Sequence, residues 1–268
     1  MKIRFLTIFF ALLAQGMTQT SPLPWPEGER LVYLIKWGPL EAAEGTFIAN
    51  KDAHQDGMLR FELLLRSRGP IEALFPIRSR ITSQTQLMPW RSREYIQDRN
   101  EGGNVRYRRT IPDYSVRLGR FFPAPGKPEE NFELPAGPLE DFGSMLYHIR
   151  KHPWKAGESL TWNVLDNNEP LFAKMSCPQI GQTELEDDPS RPLIEIFGEP
   201  HGASRRHQGW MKLWMTDDAR RIPVFAKLKF QYGTFEIRLI RGGGPGLDFC
   251  PDGAPVALMS DTDSPSKP

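Results

Sequence analysis

Carboxylates and guanidiniums crowd into one short stretch, Asp217-Asp218-Ala219-Arg220-Arg221. Adjacent carboxylates can divide acid and base roles between them, and arginines beside them can bind a polar ligand through paired hydrogen bonds. The same residues also suit a tight turn, because an aspartate side chain accepts from nearby backbone N–H groups. A second pair, His148 and His152, stands four residues apart. That spacing can hold zinc if a third ligand joins it. None stands nearby in sequence, and basic groups at a helix C-terminus are the plainer account. A third feature is aromatic: Trp210 and Trp214 alternate with Met211, Leu213 and Met215. They could line a cleft for a lipid, a sugar or an apolar segment of a partner, or be buried between a sheet and a helix. The candidate ligand-binding set is therefore Trp210, Trp214, Asp217, Asp218 and Arg221.

Catalytic signatures are missing. The chain has no HExxH, GxSxG, CxxC or phosphate-loop GxxxxGK[ST] pattern. The run Gly242-Gly243-Gly244-Pro245-Gly246 follows a strand pattern and precedes no helix, so it lacks the setting of a dinucleotide loop. No catalytic residue, metal or cofactor is assigned.

What must position these residues is a sheet. From 209 to 240 three runs alternate with a period of two, as strands with one buried face do. Short links join them, so neighbours run antiparallel. Similar runs recur earlier: Leu31–Trp37, Ala43–Asn50 with Gly45 as a candidate bulge, and Met58–Ser67. Arg78–Leu87 and Trp90–Gln97 read as a hairpin about Met88-Pro89, followed by Val105–Ile111 and Tyr114–Leu118. The Pro/Gly-rich stretch Phe121–Gly137 reads as a loop crossing the sheet. Then comes a helix, Asp141–Lys151, with Phe142, Met145, Leu146 and Ile149 in one stripe, acids at its start, bases at its end and Pro153 beyond. Strands resume at Ser159–Leu165, Pro170–Ser176 and Leu193–Gly198. The expected fold is mainly β: a strongly curved antiparallel sheet or incomplete barrel meander with one amphipathic helix.

Residues 1–16 have a basic start, an apolar run from Phe5 to Leu13 and a small-x-small end, the pattern of a secretory signal peptide. A Pro-rich leader (17–28), a single β domain (29–241) and a partly disordered Gly/Pro-rich tail (242–268) would follow. No later segment is apolar enough to span a membrane. The net charge is +1; loss of the two charges on Lys2 and Arg4 takes it to −1. That balance gives no reason to expect nucleic acid as a partner. Cys177 and Cys250 are the two cysteines; outside the cytoplasm a disulfide between them is permitted, and two free thiols are the equal alternative.

Three motifs stand in order: Gly28-Glu29-Arg30-Leu31-Val32-Tyr33 with Trp37 and Gly45; Asp141-Phe142-Gly143-Ser144-Met145-Leu146-Tyr147-His148-Ile149-Arg150 with Gly157-Glu158; and Leu213-Trp214-Met215-Thr216-Asp217-Asp218-Ala219-Arg220-Arg221-Ile222-Pro223-Val224. Over about residues 27–240 the chain resembles the exported bacterial proteins grouped as domain of unknown function 3108. The resemblance implies a periplasmic or envelope location and an antiparallel β domain, and supplies no reaction. The functional expectation is an exported, non-enzymatic envelope protein that binds an amphiphilic or polymeric ligand, lipid or glycan. The alternatives are an assembly protein pairing with an envelope protein, and a hydrolase using Asp217 or Asp218.

Overall fold

The computed structural model describes residues 23–166, 168–181, 192–201, 209–230 and 233–244. The alternating runs form one continuous sheet of 15 strands. The first limb is β1 (Glu29–Trp37), β2 (Leu40–Lys51), β3 (Met58–Ser67), a single-turn helix α1 (Gly69–Leu74), β4 (Ile77–Leu87), β5 (Trp90–Glu101), β6 (Asn104–Asp113), β7 (Leu118–Phe122) and β8 (Glu130–Glu133). Next come the two-residue β9 (Leu139–Glu140) and helix α2 (Phe142–Lys151). The second limb is β10 (Ser159–Asp166), β11 (Glu169–Gly181), β12 (Leu193–His201), β13 (Trp210–Thr216), β14 (Pro223–Phe230) and β15 (Gly233–Gly243). In space the order is β8 down to β1, then β15 down to β9. Each limb is thus a meander, and β1 pairs antiparallel with β15 where the limbs meet. The β9–β10 pair is parallel.

Helix α2 explains the curvature. It touches β3, β4 and β5 of the first limb and β9 and β10 of the second. Met145 and Ile149 pack with Met175, Ile196, Leu213 and Met215 from the second limb. Tyr147 packs with Trp25, Leu59, Phe61 and Trp90 on the other side. A ten-residue helix can be buried on both flanks only if the sheet coils around it. Each fully buried apolar side chain contributes roughly 1.5–3 kcal/mol, so the wrapped arrangement outweighs a flat one. Near the sheet's free ends, Asn168 Nδ2 donates to Glu130 Oε2 at 3.0 Å.

Several local expectations are corrected. Residues 114–117 form a turn, not a strand, with Arg117 at φ 54°. The Tyr114 hydroxyl is directed to the carbonyls of Ser92 (2.7 Å) and Leu139 (3.2 Å), which fixes that turn against the sheet. The expected loop 121–137 contains the end of β7 and all of β8. The one apolar side chain of β8, Phe132, lies over Gly119. Gly45 is no bulge: it pairs in register with Tyr33 and Leu65, and the irregularity falls between Ile35 and Lys36. Strand β15 continues past Ile240, with Gly242 and Gly243 opposite Leu31 and Arg30. Cys177 is fully buried; Cys250, the expected signal peptide at 1–16, residues 17–22 and the tail beyond Gly244 lie outside the described residues.

Candidate ligand-binding cleft

The site is built at one end of the half barrel, around the C-terminus of α2. The other end of that helix is anchored by Asp141. Asp141 Oδ1 accepts from Ser144 N at 3.0 Å, and Asp141 N donates to Ser144 Oγ at 2.8 Å, a reciprocal cap. Oδ2 accepts from Ser83 Oγ (2.8 Å) on β4 and Ser92 Oγ (2.5 Å) on β5. Burial pushes this carboxyl up to about 6, against the pull of those donors. Gly143 sits where a Cβ would lie 2.8 Å from Ser83 Cβ, so glycine lets the first turn approach β4.

The C-terminus of α2 is held by the β13–β14 turn. Arg221 Nη1 donates to the carbonyls of Arg150 (3.2 Å), Lys151 (3.1 Å) and His152 (2.6 Å). Those are the orphan acceptors of the last helical turn. In return Arg150 donates through Nε and Nη2 to the carbonyls of Arg221 and Arg220, both at 3.1 Å. Its guanidinium also forms a two-pronged ion pair with Glu29, one arm at 2.9 Å. The two side chains are 1% and 0% exposed. Trp25 and Tyr147 lie 5.2 and 5.1 Å from the guanidinium carbon. Burial opposes the Arg150 charge, but Glu29 outweighs it and its pKa is raised.

The turn itself explains the paired aspartates. Asp218 Oδ1 accepts from Thr216 Oγ1 (2.9 Å), Arg220 N (2.9 Å) and Arg221 N (3.0 Å). Burial raises the Asp218 pKa, yet these donors prevail and hold it below the usual carboxylate value. Arg221 adopts φ 45°, uncommon for a residue with a side chain, and that conformation is sustained where its side chain caps the helix.

Between these parts opens a cleft of about 1620 Å³. It lies where the β2–β3, β4–β5 and β13–β14 turns converge on the end of α2. Leu23, Trp25, Met58, Leu87 and Met88 give it an apolar lining. Trp25 is clamped by edge contacts to Phe61, Trp90 and Tyr147 with ring centroids 4.7–6.4 Å away. The charged lining is mostly basic: Lys51, Arg91, Arg93, Lys151 and Arg221, against Glu27 and Asp56. Glu27 is 3.6 Å from Lys51. Arg91 donates to Gln86 Oε1 at 3.0 Å and covers the Tyr114 ring at 4.1 Å. Arg93 is the extra residue at a bulge where Gln84 faces Glu94 but Thr85 faces Ser92. That bulge resets the alternation, so Trp90 and Ser92 before it and Tyr95 and Gln97 after it are all buried.

His148 also lines the cleft. Its ring stacks on Trp162 at 4.5 Å, and Nδ1 hydrogen-bonds Glu140 Oε1 at 2.6 Å. Glu140 is 3% exposed. Burial raises its pKa while His148 and Lys151 pull it down. His152 Nε2 engages a different carboxylate, Glu158 Oε1, at 3.0 Å. The two imidazoles therefore face separate acids, and no group of three metal-binding side chains converges among the described residues.

Of the five residues singled out in the sequence, Arg221 alone lines this cleft. Leu213 and Met215 are buried towards α2, which sends Trp210 and Trp214 to the opposite, convex face. There Trp214 Nε1 donates to Glu195 Oε2 at 3.2 Å and its ring lies 5.5 Å from Phe225. Trp210 is 6.4 Å from Phe197. Asp218 serves the turn, and the exposed Asp217 does not line the cleft. The cleft adds Trp25, Arg91, Arg93, His148 and Lys151 to the candidate set. For Arg91 and Arg93 the available signal is their position beside the β4–β5 turn, since hairpin ends on one side of a meander gather at one end of the sheet; Trp25 and the two helix residues carry no such signal.

Residues 32–240 match the family described as Protein of unknown function (DUF3108). Comparison with curated proteins gives no match. Among solved structures, a beta-barrel-like protein of domain of unknown function DUF1849 from Brucella abortus is similar, with a TM-score of 0.55 and 6% identity. The alignment covers 81% of this chain and 97% of that one. At that identity the likeness is one of fold. No helix among the described residues is long and apolar enough to cross a membrane.

Proposed function

The chain belongs to the DUF3108 family, and we propose that it is an exported, non-enzymatic envelope protein that holds an amphiphilic ligand, lipid or glycan, in the cleft at the mouth of its half barrel. The observation that carries this reading is the cleft of about 1620 Å³ with an apolar, Trp25-centred lining and a charged margin. That is the pattern of a site that desolvates one part of a ligand and orients another. Export rests on the basic-apolar-small pattern of residues 1–16, and the destination would be the periplasm or the exterior.

Native mass spectrometry of the exported protein, followed by titration with dodecyl maltoside, tests the reading. A copurifying small molecule, or saturable dodecyl maltoside binding weakened by Met88→Asp, supports it. No adduct and no binding of any single-chain amphiphile overturns it.

A second reading, an assembly protein with an envelope protein as partner, draws on the opposite end of the sheet. Trp37, Leu40, Leu74, Phe75, Val105 and Phe230 are exposed there, apolar side chains that a partner could cover. Crosslinking in cells that yields one dominant protein adduct and no small ligand would favour it. The hydrolase reading loses its motive, because Asp218 accepts three hydrogen bonds from its own turn.

A further inference from the structure

We infer that the ligand of this cleft is an anionic amphiphile, with a carboxylate or phosphate head at the basic margin beside Lys151 and Arg93 and its chain against Trp25 and Met88. The inference rests on the amphiphile reading above and adds the charge of the head group.

The margin is unbalanced. Five cationic side chains meet two acids there, and one of those acids, Glu27, is matched to Lys51. Arg91, Arg93, Lys151 and Arg221 have no carboxylate within ion-pair distance among the described residues. Elsewhere exposed arginines occur both paired, as Arg78 with Glu72, Arg109 with Glu94 and Arg68 with Glu41, and without an ion pair among the described residues, as Arg30 and Arg66, so it is the gathering of several cations around one cleft that sets this margin apart. Carboxylates act on two of the unmatched cleft cations only at longer range, Asp113 on Arg93 and Glu140 on Lys151, and the groups they touch directly are neutral. Lys151 Nζ lies 5.2 Å from the Trp90 ring, and Arg91 lies between Gln86 and Tyr114. A cation held over an aromatic face keeps its charge available to a third group.

One feature would oppose an anion, the C-terminus of α2, whose free carbonyls present partial negative charge to the cleft. Arg221 removes that obstacle by donating to three of them. With His148 Nδ1 committed to the buried Glu140 carboxyl, Nε2 is the ring nitrogen left for a head group. The apolar lining then distinguishes an amphiphile from a free anion, because only a chain gains from covering Trp25, Leu87 and Met88.

The test compares four probes on the full exported protein by calorimetry: dodecyl phosphate, dodecanoate, dodecyl maltoside and inorganic phosphate. The expected result is that both anionic amphiphiles bind at least about tenfold tighter than dodecyl maltoside, and that this advantage shrinks as salt screens the margin. Arg93→Ala combined with Lys151→Ala should erase the advantage, weakening both anionic amphiphiles far more than dodecyl maltoside and leaving the melting temperature unchanged. Equal affinity for charged and uncharged amphiphiles overturns the inference while the amphiphile reading stands. Inorganic phosphate binding as tightly as dodecyl phosphate overturns it in favour of a free-anion site. Failure of all three amphiphiles removes both.

Discussion

Replacing Arg150 by Met tests the central packing argument. The Arg150 and Glu29 side chains are 1% and 0% exposed, so deleting the guanidinium strands a carboxylate with no access to water. Breaking a buried pair from one side costs about 3–5 kcal/mol. The carbonyls of Arg220 and Arg221 lose donors as well, which brings the expected loss to about 4–6 kcal/mol. Against a typical domain stability of about 5–15 kcal/mol this removes between about a quarter and all of the folding free energy. At about 2–4 °C per kcal/mol, the melting temperature falls by roughly 8–24 °C. Urea unfolding followed by circular dichroism at neutral pH measures it. The double variant Glu29→Leu with Arg150→Met contains no stranded charge and should recover about half the loss or more. A loss under about 1 kcal/mol for Arg150→Met, or a double variant no better than the single one, would refute the claim that this pair is a desolvated, interdependent unit.

Other expectations follow from the same geometry. Asp141 titrates near 6 in the folded protein and near 3.9 unfolded, so the native state binds the extra proton in that window. Stability should therefore fall by up to about 3 kcal/mol as pH rises from roughly 4 to roughly 6, then level off; Asp141→Asn should flatten that part of a urea-unfolding pH series. Gly119→Ala places a methyl 2.1 Å from the Phe132 ring. It should lift β8 from β7, seen as faster hydrogen exchange at residues 130–133 with a global loss of about 1–3 kcal/mol. Trp214→Phe, on the convex face, should leave dodecyl maltoside affinity unchanged, whereas Met88→Asp in the cleft should weaken it severalfold; the reverse order would return the site to the tryptophan-bearing face.

The strands were legible where one face is buried and the other wet, because a period of two is then imposed on the side chains. This holds for 210–240 and for Met58–Ser67, whose bounds the structure reproduces. It fails for β8, where Phe132 is the lone apolar residue and the strand is held by its neighbour's glycine. It fails too for α1, six residues with none buried. The stripe on α2 was readable, but its other flank was not. Tyr147 and Arg150 look like surface positions until Trp25 and Glu29 arrive from far along the chain. The cleft was illegible for the same reason. Its residues come from turns and chain crossings, which leave no periodic trace, while Asp217-Asp218 drew attention through side-chain chemistry that the turn consumes locally.

The seam between β1 and β15 has a consequence for how the chain acquires its shape. The earliest strand of the described fold finds its second neighbour only in the last one. A polypeptide emerging amino end first therefore carries half a sheet with a bare hydrogen-bonding margin until synthesis of the final ladder is complete. Such late, distant closure makes for slow maturation and a prolonged exposure to self-association. Protection of that margin during synthesis, rather than stability of the finished protein, would then limit how much of it accumulates.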